Sequence, residues 1–165
     1  KPLSQGPFEP VGVEFITGAI SSATFFEVAA QVIEKSDPQR PLFIHDRPDG
    51  SVAPAMNMTA LHGVRASLEL AESGDERRAR AQSNPEVAPH LKFLDLGANG
   101  YSTVLVDRDF MEAEFVCIPW PLERSESEDG GPVSYRVIHR APLWAPGERP
   151  TLERRILEGN PPLAT

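Results

Sequence analysis

Proline stands at seventeen of the 165 positions and glycine at twelve. A proline has no backbone N–H to give and clashes with the turn before it, so it ends helices and is confined to the margins of sheets. At this density no coiled coil and no all-helical bundle can be written; short elements joined by turns are required. Leu, Ile, Val and Phe number 41, about a quarter of the chain. That exceeds the roughly one fifth below which a charged chain stays unfolded, so one core of single-domain size is expected.

The formal charge is −8 and the pI about 5.0. Phosphate backbones are gripped by clustered Lys and Arg, so no nucleic-acid partner is implied. The single cysteine, Cys117, cannot form an internal disulfide, and its neighbours Phe115, Val116 and Ile118 mark it as a buried small hydrophobe. No run approaches the roughly 18 apolar residues of a membrane span. The opening, Lys1-Pro2-Leu3-Ser4-Gln5-Gly6-Pro7, lacks both a signal-like apolar run and an initiator Met. An expression scar or a cut inside a longer polypeptide is the expected origin of that start.

Periodicity sets the expected elements. Val11 to Thr17 alternates as a strand and Gly18 ends it. Ser21, Ser22 or Thr24 caps a helix to about Lys35, with Phe25, Val28, Ala29, Val32 and Ile33 as its buried stripe. Residues 36–54 read as a loop or short hairpin turning at Arg47-Pro48-Asp49-Gly50. A helix is expected over Asn57 to Glu72, closed by Gly74, with Leu61, Val64, Leu68 and Ala71 inward; a short charged helix follows from Asp75-Glu76 to about Gln82. Leu91 to Leu96 and Tyr101 to Asp107 read as a hairpin across Gly97-Ala98-Asn99-Gly100. A turn at Asp107-Arg108-Asp109 leads into Met111 to Ile118. The three strands form an antiparallel meander with Phe93, Val104, Val106 and Phe115 in its core. After an acidic loop at Ser125 to Pro132, a fourth strand runs from Val133 to Leu143 and a short one from Leu152 to Leu157, and the last residues are expected on the surface.

Few patterns carry chemistry. Neither a Walker loop nor a dinucleotide fingerprint occurs. Thr17-Gly18-Ala19-Ile20-Ser21-Ser22 before a helix either offers Ser21 and Ser22 as anion donors or caps the helix in the ordinary way. The histidines His45, His62, His90 and His139 are scattered, and His45-Asp46 with Asp49 is serving a turn, so no metal centre is expected from this chain's own side chains. No Gly-x-Ser-x-Gly elbow exists, and nothing cationic adjoins Cys117. On one continuous helix Met58, His62 and Arg65 fall at i, i+4 and i+7; they either line a cleft for an anionic substrate or form a solvated face with an Arg65–Glu69 pair. His139, beside Tyr135, reads as a half-buried sheet residue.

Pro10-Val11-Gly12-Val13-Glu14-Phe15-Ile16-Thr17-Gly18-Ala19-Ile20-Ser21-Ser22, Pro89-His90-Leu91-Lys92-Phe93-Leu94-Asp95-Leu96, Gly100-Tyr101 and Glu112-Ala113-Glu114-Phe115-Val116-Cys117-Ile118-Pro119 together resemble the C-terminal third of PhoD-like alkaline phosphatases. Order and spacing match over most of positions 10 to 158, and Gly147-Glu148-Arg149-Pro150 is typical of one bacterial branch. Two departures bear on substrate preference: Ala88 where the family often has Asn, and Trp120 where relatives often carry a basic residue.

The resemblance implies an α/β fold, the C-terminal part of a calcineurin-like β-sandwich flanked by helices, with an antiparallel meander and a helical insert. The chain divides on this reading into a strand and helix (10–35), the insert (36–89), antiparallel strands (90–144) and a tail (145–165). The implied activity is phosphoric ester hydrolysis, with iron and calcium activating a water and stabilising charge. The family's metal ligands lie upstream of the Glu-Phe strand, so none transfers to a position here. The expected partner is an N-terminal metal-bearing fragment of the same polypeptide, and the chain by itself is expected to be inactive. A phosphate monoester or diester is the expected substrate, the location secreted or periplasmic. The alternatives are phospholipase D action on phospholipid head groups within the same family, and a non-catalytic β-rich binding or structural module.

Overall fold

The computed structural model describes residues 8–119, 126 and 131–165. It is a mixed α/β chain with two antiparallel sheets, and it divides into two compact units. One comprises Ala23–Gly97 with Pro161–Thr165; the other comprises residues up to Ser22 with Ala98–Asn160. The acidic loop expected at Ser125 to Pro132 falls mostly outside the described residues, as does Trp120.

The first unit is helical. Helix α1 (Phe25–Val32) begins at Thr24, whose hydroxyl accepts from the Glu27 N–H while the Glu27 carboxylate accepts from the Thr24 N–H at 2.6 Å. Each group satisfies a donor the helix start would otherwise leave bare. Only Ala29 of the expected stripe is buried, while Phe25, Val28 and Val32 are exposed. The apolar arc of α1 is too wide for periodicity to say which half faces inward; buried Ala29 and half-buried Phe26 mark the side that does.

A short helix, α2 (Arg40–Phe43), precedes the hairpin β1 (His45–Asp46) and β2 (Val52–Ala53), which turns at Arg47 to Gly50 as the sequence requires. Arg40 is buried, and its guanidinium meets the Asp46 carboxylate at 2.7 and 2.8 Å while also donating to the Ile33 carbonyl. The pairing holds the Asp46 carboxyl below its usual range.

The single helix expected over Asn57 to Glu72 is two helices, α3 (Ala55–His62) and α4 (Val64–Ser73). Gly63 separates them at φ 96°, a left-handed conformation that glycine alone adopts cheaply, and a β-carbon there would stand 3.1 Å from the Val87 side chain. The break rotates α4: Val64 and Leu68, expected inward, are exposed, and Ala66, Ser67 and Leu70 are buried instead. Gly74 closes α4, and α5 (Glu76–Ala81) starts under Asp75, whose carboxylate accepts from the N–H groups of Arg77 and Arg78.

Met58, Ala66, Leu70, Ala79 and Ala53 form the core of this unit, together with Leu163 from the far end of the chain. The tail therefore does not lie loose: Pro161, Leu163 and Ala164 are buried. Buried Asn57 binds it in, donating to the Pro162 carbonyl and the Asp95 carboxylate and accepting from the Leu96 N–H. These bonds also explain why Leu91 to Leu96 is not a strand. Its N–H groups at Leu94 and Leu96 are taken by the Ala164 carbonyl and the Asn57 amide, leaving no ladder to join.

The second unit is a four-stranded meander, β3 (Asn99–Val106), β4 (Phe110–Ile118), β5 (Tyr135–Pro142) and β6 (Glu153–Gly159), each strand antiparallel to the next. The β3–β4 turn is the expected one, with Asp107 accepting from the N–H groups of Asp109 and Phe110. Asn99-Gly100, expected in a hairpin loop, opens β3. Gly100 is needed there because a β-carbon would lie 2.1 Å from the Val116 carbonyl oxygen. Residues 11–17 form no strand; Phe15 rests on Phe115 at 6.5 Å and the Thr17 hydroxyl bonds that of Ser102. The core lies on β4 and β5, at Ala113, Val116, Cys117, Tyr135, Val137, His139 and Ala141, whereas Val104 and Val106 on β3 are exposed, at 52% and 64%. No helix among the described residues is long and apolar enough to cross a membrane.

Candidate functional site

Within the helical unit the polar side chains converge at His62, the last residue of α3. Its carbonyl accepts from the Asn84 N–H at 2.9 Å, which brings the segment after α5 back against the end of α3. The imidazole Nδ1 then lies 3.0 Å from the Ser83 hydroxyl, and Nε2 lies 3.1 Å from the Thr165 backbone oxygen and 3.3 Å from Arg80 Nη1. Arg80 is aimed by Glu76 one turn earlier, whose carboxylate accepts from Nε and Nη2. An Arg donor held along one edge and a half-buried imidazole suit an oxyanion.

The other predicted site residues do not join this group. Met58 is fully buried in the core, and Arg65 stands exposed on α4 beyond the Gly63 break, so the expected stripe of Met58, His62 and Arg65 is not formed. Glu69 pairs with Arg78 at 2.9 Å. Ser21 and Ser22 are exposed and cap no helix; the Ser22 carbonyl accepts from the Asn99 amide at 2.7 Å. The residue sequence reasoning missed is Arg80. Its signal was the Glu76-x-x-x-Arg80 spacing followed by Asn84-Pro85, a paired Arg just before a chain reversal.

The sheet unit holds two further polar features. A cleft of about 530 Å³ on one face is lined by Tyr101, Thr103, Glu114, Arg136 and Glu158 among others. Among its lining residues Arg136 donates to the Glu114 carboxylate, which raises the guanidinium pKa further. On the other face His139 is buried edge-on to Phe115 at 5.8 Å, across from Ala113 on β4 and Arg154 on β6. Burial, and then the positive charge of Arg154, push its pKa down to about 4.

Among the described residues no three His, Cys, Asp or Glu side chains stand close enough to hold a metal ion. Buried His139 faces Arg154, a surrounding that does not suit iron or calcium. No protein-family model, no curated protein and no solved structure matches the chain.

Proposed function

We propose that this chain is the C-terminal part of a metal-dependent phosphoric ester hydrolase of the PhoD-like alkaline phosphatase type. In this reading it completes a calcineurin-like fold and its cleft around iron and calcium carried by an N-terminal part, and works outside the cytoplasm. The observation that carries the reading is the ordered set of segments at 10–22, 89–96, 100–101 and 112–119. The mutual placement of the first, third and fourth of these segments supports it. Gly100 and Tyr101 pair with Cys117 and Val116, Phe15 rests on Phe115, and the Ala19 carbonyl accepts from the Gly100 N–H at 3.3 Å. Three segments distant in sequence thus meet in one unit, at a glycine whose neighbour leaves no room for a side chain.

The metals would supply the activated water and the charge stabilisation when bound; the part of this chain is to shape and charge the surroundings of the ester. The test is to express the chain joined to a metal-bearing N-terminal part, load iron and calcium, and assay p-nitrophenyl phosphate, its bis ester and phosphatidylcholine. Hydrolysis of the first two, absent from either part alone, is the expected result. Choline release without hydrolysis of the small esters would favour the phospholipase D reading. No turnover of any of the three by the joined, metal-loaded protein would leave the non-catalytic module standing.

A further inference from the structure

The three contacts at His62 cannot all be satisfied at once. A ring nitrogen is either a donor or an acceptor. If Nε2 carries the proton it suits the Thr165 oxygen and opposes the Arg80 N–H; if it is bare it suits Arg80 and turns a lone pair on the Thr165 oxygen. With both nitrogens protonated, two cations face each other at 3.3 Å. Every state leaves one partner wrongly matched, and the Glu76 carboxylate, which grips the Nε and Nη2 edge of Arg80, does not bond its Nη1.

We propose that His62 Nε2 and Arg80 Nη1 form a binding site for a phosphoryl oxyanion. An oxygen placed between them accepts from both, which removes the mismatch, and the Thr165 backbone oxygen now at Nε2 is the acceptor it displaces. Ser83 is a positioning residue: its hydroxyl donates to Nδ1, which leaves the ring proton on Nε2 and holds that N–H toward the ligand. Of the arginines on α5, Arg78 already pairs with Glu69 and Arg80 with Glu76 through Nε and Nη2, so the positive group offered to an anion is the Nη1 edge of Arg80. The site goes beyond the hydrolase reading, since it rests on the helical unit alone and needs neither metal nor turnover.

Binding is tested directly on the full chain. Inorganic phosphate, glycerol phosphate and, as the ionic-strength control, sodium chloride are titrated while the His62 ring nitrogens and the Arg80 Nε–H are followed by NMR. Saturable shifts at both residues with phosphate but not chloride are expected; equal response to glycerol phosphate assigns the site to a phosphate ester, response to phosphate alone to the free ion. Arg80→Gln should weaken binding at least tenfold and Arg77→Gln, on the same helix, less than twofold. Should Arg80→Gln disturb the amide spectrum of α3 to α5, Ser83→Ala serves instead, with a severalfold loss and a changed His62 tautomer. Shifts that do not saturate, that chloride reproduces, or that Arg80→Gln and Arg77→Gln reduce equally would overturn the site whatever the joined enzyme hydrolyses.

Discussion

Single residues show how far environment outruns identity. His139 was expected half-buried on a strand, and it is a sheet residue, yet only 2% of it is exposed and its neighbours are Phe115, Ala113 and Arg154. Its folded pKa of about 4 lies below the unfolded value near 6.5, so the unfolded chain binds the proton more readily in between. His139 therefore contributes stability that is full above pH 6.5 and is lost as pH falls toward 4. Urea melts between pH 7 and pH 4.5 should show a decline on the order of 2 kcal/mol from this group. In His139→Leu that part of the slope should vanish; an unchanged slope would mean the ring is wetter than its position implies. No neighbour in the sequence announces Arg154, which reaches His139 only through the β5–β6 register.

At the scale of elements, the helix caps and the Asp107 turn behaved as local chemistry dictates, while buried faces and the turn expected at Gly97 to Gly100 did not. The Thr24 box, the Asp75 cap, the Gly74 stop and the Asp107 turn each follow from one side chain and the two or three N–H groups beside it. The Gly63 break is different in kind: helical periodicity runs straight through His62-Gly63-Val64, and at the break the glycine stands at positive φ with Val87 too close for a β-carbon. Gly63→Ala should destabilise the chain by about 1–3 kcal/mol, combining a strained left-handed alanine with a contact that must open. Denaturant midpoints check the value, and hydrogen exchange should locate the loss in α3 and α4. A neutral or stabilising outcome would mean that a continuous helix is accessible after all.

For the molecule as a whole, what matters is which distant segments complete which core. Leu163 enters the helical core 105 residues after Met58, so this core is incomplete without residues 161–165. Leu163→Ala should cost about 2–4 kcal/mol and lower the thermal midpoint of the helical unit; a loss below about 0.5 kcal/mol would place the tail outside the core.

Sequence alone determined the kind of chain this is. Proline and glycine spacing dictated short elements, Cys117 sat among apolar neighbours, and the helix caps and the Asp107 turn were legible because their partners lie within four residues. Tertiary structure alone decided that residues 11–17 and 91–96 are not strands, that Val104 and Val106 lie outside the core, and that His62 meets Arg80 in place of Arg65. The reason is common to all of these. A strand needs a partner's N–H and C=O groups and a buried face needs a covering surface, and both are supplied by residues tens of positions away.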